Sequence, residues 1–243
     1  MSDALRLGVI GVGALAQRGI LPHLTQEDVR ERVRVEAVCD PVPGRAEEVA
    51  RRFSVPHHFG SVEDLLERGD VDAVTIASPI GLHHAHARMA LERGKHVHVN
   101  KTMTTSVREA DELIELARRK DLVIIASPGE VLRPQITRIR ELVQGGAIGH
   151  VSWAICGCAF DRYHEEGEPE RAADPSGQPI DPAWYFQRPG GGPMYDMTVY
   201  ALHGLTSVLG PARRVTAMSG KLLPIRRFLD RQIEVDVDDN TIV

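Results

Sequence analysis

The fold of this chain is decided by the stretch Leu5-Arg6-Leu7-Gly8-Val9-Ile10-Gly11-Val12-Gly13-Ala14-Leu15-Ala16. It reads as an apolar strand, the pattern G-x-G-x-x-A and the start of a helix, which is typical of sites that hold a dinucleotide pyrophosphate. Gly11 permits the tight turn, Gly13 lets the backbone approach the phosphates, and Ala16 lets the helix pack against the strand. The helix start offers unpaired N–H groups and the positive end of its dipole to an anion. The stretch therefore predicts cofactor contacts at Gly11, Gly13, Ala14 and Leu15.

The composition excludes several classes of protein. Of the 243 residues, 42% are hydrophobic and 26% are charged, which supplies a core of normal size and argues against disorder. The net charge of -5 argues against a nucleic-acid or anionic-membrane partner. No apolar run has the length of a membrane span, and the N-terminus lacks a signal segment. Three cysteines without the spacing of a disulfide framework or a metal site favour a reduced, cytoplasmic protein.

Strands and helices alternate from the N-terminus to about Ser127. Such alternation requires crossover connections and therefore predicts a parallel sheet covered by helices on both faces. We predict an α/β fold in which residues 1–127 form a doubly wound dinucleotide-binding domain of the Rossmann type. The elements predicted after the glycine turn are Val33–Cys39, Arg45–Phe53, Ser61–Glu67, Val71–Ala77, Leu82–Arg93, His96–Val99, Ser106–Lys120 and Leu122–Ala126.

The pattern changes in residues 128–243, which we predict to be a separate α+β domain that binds substrate. The predictions are a helix over Glu130–Gln144, a strand over Val151–Phe160, a surface excursion over Tyr163–Pro189, a helix over Met194–Leu209 and strands at Val215–Met218 and Ile233–Val237. Thr241–Val243 reads as the opening of a strand, and a sheet that ended there would have an open edge. We expect either a truncated form of a longer protein or a second domain that a partner completes.

Asp40 ends the second predicted strand, where an acid accepts hydrogen bonds from the adenosine ribose of NAD and repels the 2′-phosphate of NADP. The alternative is a loop aspartate that only starts the turn at Pro41. Arg45 could weaken the preference, because its cation would attract a 2′-phosphate. We therefore predict NAD as the cofactor, with NADP as the alternative.

Two more segments follow strands at the carboxyl edge of the predicted sheet, where ligands bind in such folds. Ser78-Pro79 would set the path of the chain beneath the cofactor. Lys101 can donate a hydrogen bond to a substrate hydroxyl or to the nicotinamide ribose, and its cation can stabilise a developing alkoxide. The alternative for Lys101 is a solvated loop lysine.

A cluster of three histidines follows Ser78-Pro79, at positions 83, 84 and 86. Only His83 and His86 share a helix face, and no acidic or cysteine partner is nearby in the sequence. We therefore predict no metal and interpret the three side chains as solvated or capping histidines.

Asp196, Tyr200 and His203 are spaced i, i+4 and i+7 in the predicted helix after Gly190-Gly191-Gly192. This spacing places three proton-competent groups on one face of an otherwise apolar helix. The glycines before them would let a substrate approach closely. We predict that the three side chains line a substrate pocket, the alternative being contact with solvent.

Taken in order, these motifs resemble the Gfo/Idh/MocA (glucose–fructose oxidoreductase / inositol dehydrogenase) family over nearly the whole chain. The matching motifs are the glycine turn, Val38-Cys39-Asp40, Ala77-Ser78-Pro79 with His83, Gly94-Lys95-His96-Val97 before Lys101, and Gly190-Gly191-Gly192 with Asp196. The resemblance implies an N-terminal NAD(P)-binding domain and a C-terminal domain whose open sheet lines the substrate site and mediates homo-oligomerisation. It also implies hydride transfer to or from a sugar, cyclitol or similar alcohol.

The resemblance also assigns residue roles. Lys101 corresponds to the lysine of the family's Glu-Lys-Pro motif, and Asp196 and Tyr200 correspond to its D-x-x-x-H/Y pair. His83 and Asn100 join Ser78 and Pro79 as implied cofactor contacts. The chain departs from the family pattern in reading Asn100-Lys101-Thr102 at the lysine motif and in carrying Tyr200 where histidine is commoner, so the proton donor would be a phenol.

We therefore predict an NAD(P)-dependent dehydrogenase or reductase that acts on a small polyol or sugar. Lys101, Asp196 and Tyr200 are the predicted catalytic residues, and His203 joins them in binding substrate. One alternative is a non-catalytic NAD-binding sensor or truncated relative. Another is an NAD-dependent glycoside hydrolase, in which transient oxidation labilises a glycosidic bond.

Overall fold

The computed structural model describes residues 4–157 and 180–243. In these ranges the strands are β1 Leu5–Ile10, β2 Val33–Cys39, β3 His57–Phe59, β4 Ala73–Ile76, β5 His96–Val99, β6 Ile124–Ala126, β7 Met218–Gly220, β8 Ile225–Phe228, β9 Arg231–Glu234 and β10 Asn240–Ile242. The α-helices are α1 Leu21–Leu24, α2 Glu27–Arg30, α3 Arg45–Phe53, α4 Val62–Arg68, α5 His83–Glu92, α6 Val107–Arg119, α7 Pro134–Gln144, α8 Pro193–Asp196 and α9 Thr198–Leu209. Short 3-10 turns lie at Ile80–Leu82, Glu130–Leu132 and Ala183–Phe186.

The first six strands form one parallel sheet in the order β3-β2-β1-β4-β5-β6. This is the strand order of a doubly wound dinucleotide-binding fold, and it confirms the predicted fold class. The order reverses between β1 and β4, so the loops after these two strands diverge and open a crevice at the carboxyl edge. The glycine turn follows β1 and Ser78 follows β4, which brings both motifs to this crevice.

The side chains of β1 explain why the sheet is covered on both faces. Successive side chains of a strand point to opposite faces, and Val9 and Ile10 accordingly enter two different core clusters. Ile10 packs with Leu65 and Leu91 on one face, and Val9 packs with Leu21 on the other. All four residues of β4 are buried, as expected for a central strand of a parallel sheet.

Serine caps start two of the helices that cover the sheet. The Ser61 side chain accepts a hydrogen bond from the backbone N–H of Asp64. Ser106 caps α6 in the same way, and the Glu109 carboxylate accepts a hydrogen bond from the Ser106 N–H, which completes a capping box.

The second half carries two small antiparallel sheets, formed by β7 with β10 and by β8 with β9. The predicted strand at Thr241–Val243 is confirmed, since β10 pairs with β7. The strand predicted over Val151–Phe160 is wrong for residues 151–157, whose backbone pairs with no strand in the described ranges; residues 158–160 lie outside them. The strand predicted at Val215–Met218 begins only at Met218.

The surface excursion predicted over Tyr163–Pro189 is wrong at its end. Its residues 163–179 lie outside the described ranges, but Tyr185 and Phe186 are buried in a cluster with Phe228 and Ile233. The aromatic run around Trp184 therefore contributes to a core instead of meeting solvent.

Both helices predicted in the second half are divided. The first breaks at Arg133, which is extended because the ring of Pro134 disfavours the helical conformation of the residue before it. The second breaks at Met197, between α8 and α9. Asp196 therefore lies on a different helix from Tyr200, which corrects the prediction of one continuous helix face. No helix of the described ranges is long and apolar enough to cross a membrane.

Candidate active site

The two glycines of the turn after β1 are needed for different reasons. Gly11 has a φ of +84°, and a Cβ atom there would lie 2.7 Å from the backbone nitrogen of Ser78, so only glycine fits. A Cβ atom at Gly13 would meet no described atom within 4 Å. The packing of the protein therefore does not require Gly13, and the open space beside it fits the close approach of a dinucleotide pyrophosphate.

The helix after the turn begins with a wide π-helical stretch, Ala16–Ile20. Such stretches are frequent at functional sites. Gln17 is buried there, and its side-chain amide donates a hydrogen bond of 2.8 Å to the Val12 carbonyl, which fixes the turn. Gln17 could not be recognised from the sequence, because a glutamine has no place in the glycine pattern. The predicted contacts of Ala14 and Leu15 with the cofactor stay predictions.

Asp40 lies at the end of β2, buried against the glycine turn. Its Oδ2 accepts a hydrogen bond of 3.0 Å from the Val12 N–H, and its Oδ1 accepts one of 3.0 Å from the Val42 N–H. Arg45 pairs with Oδ1 at 3.2 Å. The carboxylate thus holds the turn in place and is partly neutralised, while keeping lone pairs for a further donor. Its role at the adenosine ribose stays a prediction.

The Asp40–Arg45 pair predicts how cofactor preference responds to substitution. Asp40→Asn keeps one acceptor oxygen but removes the charge that repels a 2′-phosphate, so we expect the NADPH-to-NADH affinity ratio to rise about tenfold. Arg45→Met should lower that ratio, because it removes the cation that attracts the phosphate. Fluorescence titration of each variant with both cofactors measures the ratio. Equal ratios in both variants and the wild type would place the adenosine ribose elsewhere.

Lys101 and Asp196 form a buried ion pair, although 95 residues separate them. The Lys101 ammonium donates to Asp196 Oδ1 and also, at 2.6 Å, to the Asp196 backbone carbonyl. Both side chains are more than nine-tenths buried. A buried charge requires a partner of opposite sign, and each residue supplies it for the other. The structure thus joins the loop after β5 to the helix after the triple glycine.

Each member of the pair keeps unused hydrogen-bonding capacity. The ammonium has three N–H donors, and two of them point to Asp196. Asp196 Oδ2 is buried and has no hydrogen-bond partner in the described ranges. Burying a carboxylate oxygen without a hydrogen-bond partner costs free energy, so this atom is suited to accept a hydrogen bond from a hydroxyl of a bound molecule.

Tyr200 lies beside this pair, with the Lys101 Nζ 5.1 Å from the centre of its ring. The cation therefore contacts the ring face, in a cation–π arrangement, instead of the phenol oxygen. Burial, followed by the charges of Asp196 and Glu130, raises the pKa of Tyr200 above its usual value. The phenol is therefore protonated near neutral pH and can serve as a proton donor.

His203 lies one turn further along α9 and faces a different element. Its Nδ1 accepts a hydrogen bond of 3.3 Å from the Glu130 N–H, so the neutral ring carries its proton on Nε2. Glu130 is paired with Arg133 at 2.9 Å. Glu130 and Arg133 both act on the pKa of Tyr200, and the sequence analysis did not single them out. The role of His203 in substrate binding stays a prediction.

The histidine cluster differs from the solvated side chains that the sequence suggested. His83 is fully buried, and its ring nitrogens lie 2.7 Å from the Thr102 carbonyl and 2.8 Å from the Ser78 carbonyl. His86 Nδ1 lies 3.0 Å from the Ser78 hydroxyl. His84 and His86 are half-buried, and His84 pairs with Glu112 at 3.1 Å. In the described ranges, no group of three or more histidine, cysteine or acidic side chains is arranged to hold a metal ion.

The remaining predicted cofactor residues lie at the carboxyl edge. Ser78 and Pro79 follow β4, and Asn100 follows β5 with its N–H bonded to the Ile76 carbonyl at 2.9 Å. Tyr195, which the sequence analysis missed, contributes a second contact between the two halves of the chain. Its hydroxyl donates to the Thr105 carbonyl at 3.1 Å, and the Thr102 hydroxyl donates to the Tyr195 carbonyl at 2.5 Å.

Comparison with known proteins supports this description. The family model "Oxidoreductase family, NAD-binding Rossmann fold" matches residues 5–127, and the model "GFO/IDH/MocA C-terminal domain" matches residues 136–243. A dTDP-3,4-didehydro-2,6-dideoxy-alpha-D-glucose 3-reductase from Saccharopolyspora spinosa is 36% identical over 62% of this chain and 44% of that protein. The chain spans about half the length of the curated relatives it matches.

Two solved structures are similar over most of the chain. The 3-ketoreductase KijD10 from Actinomadura kijaniata, in complex with TDP-benzene and NADP, has a TM-score of 0.67 at 27% identity, covering 90% of this chain and 61% of that one. The WlbA dehydrogenase from Bordetella pertussis, in complex with NADH and UDP-GlcNAcA, has a TM-score of 0.74 at 17% identity, covering 98% and 67%. The second likeness concerns the fold alone. This chain belongs to the Gfo/Idh/MocA family of oxidoreductases and carries its NAD-binding Rossmann domain.

Proposed function

We propose that this chain holds the reacting centre of an NAD(P)-dependent oxidoreductase that interconverts a hydroxyl and a keto group on a sugar or related alcohol. The observation that carries the proposal is the buried Lys101–Asp196 pair with one unused N–H and one unpartnered carboxylate oxygen. A chain of contacts connects this pair to the glycine turn, since His83 bridges Thr102 and Ser78, and Ser78 touches Gly11. In this proposal residues 1–127 bind the cofactor and residues 128–243 contribute the substrate side.

When bound, the nicotinamide supplies or accepts the hydride. Lys101 donates its remaining N–H to the oxygen at the reacting carbon and stabilises the negative charge that develops there. Asp196 accepts a hydrogen bond from a substrate hydroxyl through Oδ2 and so fixes the orientation of the sugar. Both groups are held in place by the same ion pair.

Tyr200 is the proposed proton donor. Its phenol is kept protonated by burial and by the neighbouring carboxylates, so it can give a proton to the oxygen as a ketone becomes an alcohol. In the reverse direction, as an alcohol becomes a ketone, the substrate oxygen gives the proton back to the Tyr200 oxygen. His203, with its proton on Nε2, donates a hydrogen bond to a second substrate oxygen.

Nucleotide-linked sugars are the substrate class that we propose to test first. The relative from Saccharopolyspora spinosa carries the name of a dTDP-sugar reductase, and KijD10 is described in complex with TDP-benzene. NAD is the proposed cofactor because Asp40 faces the turn, with NADP as the alternative because Arg45 pairs with Asp40.

We also propose a homo-oligomer formed through the second half of the chain, where several large apolar side chains are exposed. Those with more than two-thirds of their surface exposed there include Trp153, Ile155, Met218 and Ile242.

We propose a reducing, cytoplasmic location, which the free thiols of Cys39 and Cys156 support.

A substrate panel tests the proposed function. The chain is mixed with NADH or NADPH and with dTDP-linked keto sugars, free keto sugars or keto forms of cyclitols, and cofactor oxidation is followed by absorbance. We expect turnover with at least one keto sugar and its loss in Asp196→Asn. Tight cofactor binding without turnover on the whole panel would instead favour a non-catalytic NAD-binding protein.

A further inference from the structure

His83 is the most deeply buried polar side chain near the site, among the residues that the structure describes. It lies in the first turn of α5 with no exposed surface. Both ring nitrogens lie within hydrogen-bond distance of backbone carbonyls, those of Thr102 at 2.7 Å and Ser78 at 2.8 Å. The ring therefore joins two loops that are remote in sequence.

The two loops carry different parts of the proposed site. The Ser78 loop follows β4 and packs on the glycine turn, where the backbone nitrogen of Ser78 excludes any side chain at Gly11. The other loop carries Lys101, the residue directly before Thr102. At its start this loop is tied to β4 by the Asn100 N–H, which donates to the Ile76 carbonyl at 2.9 Å. Beyond Asn100, Lys101 and the Thr102 hydroxyl contact residues 196 and 195. His83 is the side chain that ties the Thr102 backbone itself to the Ser78 loop.

The protonation state of His83 limits how it can hold both carbonyls. A neutral imidazole carries one N–H, and both acceptors here are carbonyl oxygens. Burial lowers the pKa of His83, and the charge of Lys101 lowers it further, so the ring is neutral near neutral pH. The neutral ring donates a hydrogen bond to one carbonyl, and its other nitrogen faces the second carbonyl without a proton between them.

We propose that His83 is a positioning residue that couples the cofactor turn to Lys101. It holds the Thr102 carbonyl at a fixed distance from the Ser78 carbonyl, and thereby sets where the Lys101 ammonium lies relative to the dinucleotide turn. The inference rests on the proposed function only in treating Lys101 as the group that meets substrate.

The coupling gives His83 substitutions a graded effect. His83→Phe keeps the ring volume but offers no donor, so the carbonyl that His83 bonds loses its partner and the Lys101 loop is released. His83→Gln keeps a side-chain N–H of similar reach and should retain one hydrogen bond. His83→Asn is too short to span the two loops while remaining polar. The neighbouring His84→Gln, which removes only the surface pair with Glu112, is the matched control.

The test measures the reactivity of Lys101, which does not depend on turnover. Each variant is treated with an N-hydroxysuccinimide ester of acetic acid, and acetylation of individual lysines is followed by peptide mass spectrometry. Lys120, which is exposed, and Lys95, at the opposite end of β5, serve as internal references. NADH affinity is measured on the same samples.

We expect His83→Phe and His83→Asn to raise the Lys101 acetylation rate about tenfold relative to Lys95, and to weaken NADH binding several-fold. His83→Gln and His84→Gln should stay within about threefold of wild type for both readouts. If His83→Phe loosens the whole fold and raises the acetylation rates of all lysines together, the test uses the Lys101-to-Lys95 ratio of His83→Asn compared with that of His83→Gln. An unchanged Lys101-to-Lys95 ratio in His83→Asn would overturn the proposal and leave His83 a core residue only.

Discussion

Replacing Lys101 with methionine is expected to lower kcat by at least about 100-fold, while NADH affinity stays within about threefold of wild type. The substitution keeps the length of the side chain but removes the cation that stabilises the substrate oxygen. It also leaves Asp196 as a buried carboxylate without its partner, which should lower the free energy of unfolding by about 3 to 5 kcal/mol. Steady-state kinetics and chemical denaturation measure the two effects.

Stability and catalysis can be separated at this pair. The double substitution Lys101→Met with Asp196→Asn removes both buried charges, so it should regain much of the lost free energy of unfolding and still be inactive. Lys95→Met is the matched control, because Lys95 lies at the other end of β5, where its ammonium donates to the Val71 carbonyl at 2.8 Å. Equal losses of kcat in Lys95→Met and Lys101→Met would remove Lys101 from the reacting centre.

Replacing Gly13 with valine is expected to abolish cofactor binding without disturbing the fold. A Cβ atom at this position meets no described atom within 4 Å, and Gly13 has no positive φ, so we expect the free energy of unfolding to change little. The valine side chain occupies the space through which the pyrophosphate must approach. We expect NADH affinity to fall by at least about 100-fold, which corresponds to about 2.8 kcal/mol.

The companion variant Gly11→Ala should lower the free energy of unfolding, unlike Gly13→Val. Its Cβ atom would lie 2.7 Å from the Ser78 nitrogen at a φ of +84°, so we expect a loss of about 2 kcal/mol or more in the free energy of unfolding. Gly204→Val is the control for cofactor binding, because Gly204 lies in α9 and a Cβ there also meets no described atom within 4 Å. If Gly13→Val bound NADH like the wild type, the pyrophosphate site would lie elsewhere.

The first half of the chain could be predicted because its signals are local. The glycine pattern, the apolar strands and the serine caps each act within a few residues, and β-α alternation leaves few topologies. The carboxyl-edge rule then brings Gly11, Ser78 and Lys101 to one side of the sheet before any contact is known. The placing of Lys101 and Asp196 in one site follows from the edge position and from the family resemblance together, whereas the ion pair between them is seen only in the structure.

The second half resisted prediction because its determinants are not local. The break at Arg133 has a readable cause in Pro134, but the break at Met197 has no helix-breaking residue beside it. Tyr185 and Phe186 looked like part of a polar excursion because Pro, Gly and acidic residues surround them, while their burial depends on β8 and β9 some 40 residues later. The apolar residues Trp153 and Ile155 are exposed because no strand in the described ranges pairs with their segment. The periodicity of a sequence does not show whether a pairing strand is present.

In the candidate site too, several residues could be named from the sequence, but their arrangement could not. Asp196 and Tyr200 were expected on one helix face, yet a change of helix lies between them and Lys101 contacts the Tyr200 ring instead of its hydroxyl. Gln17, Tyr195 and Glu130 have no motif and are recognised only by their contacts. His83 was the residue most misjudged from sequence, since its spacing suggested a surface position and the structure buries it between two loops.

The most direct test of the account follows a deuterium atom. The chain is given NADH labelled with deuterium at nicotinamide C4 together with a keto sugar identified in the substrate panel, and the product is analysed by NMR and mass spectrometry. We predict deuterium on the carbon that bears the new hydroxyl, and no transfer in Lys101→Met. The label should be transferred from only one of the two faces of the nicotinamide C4. Sugar release without net NADH consumption, or deuterium found only in solvent, would contradict the proposed hydride transfer.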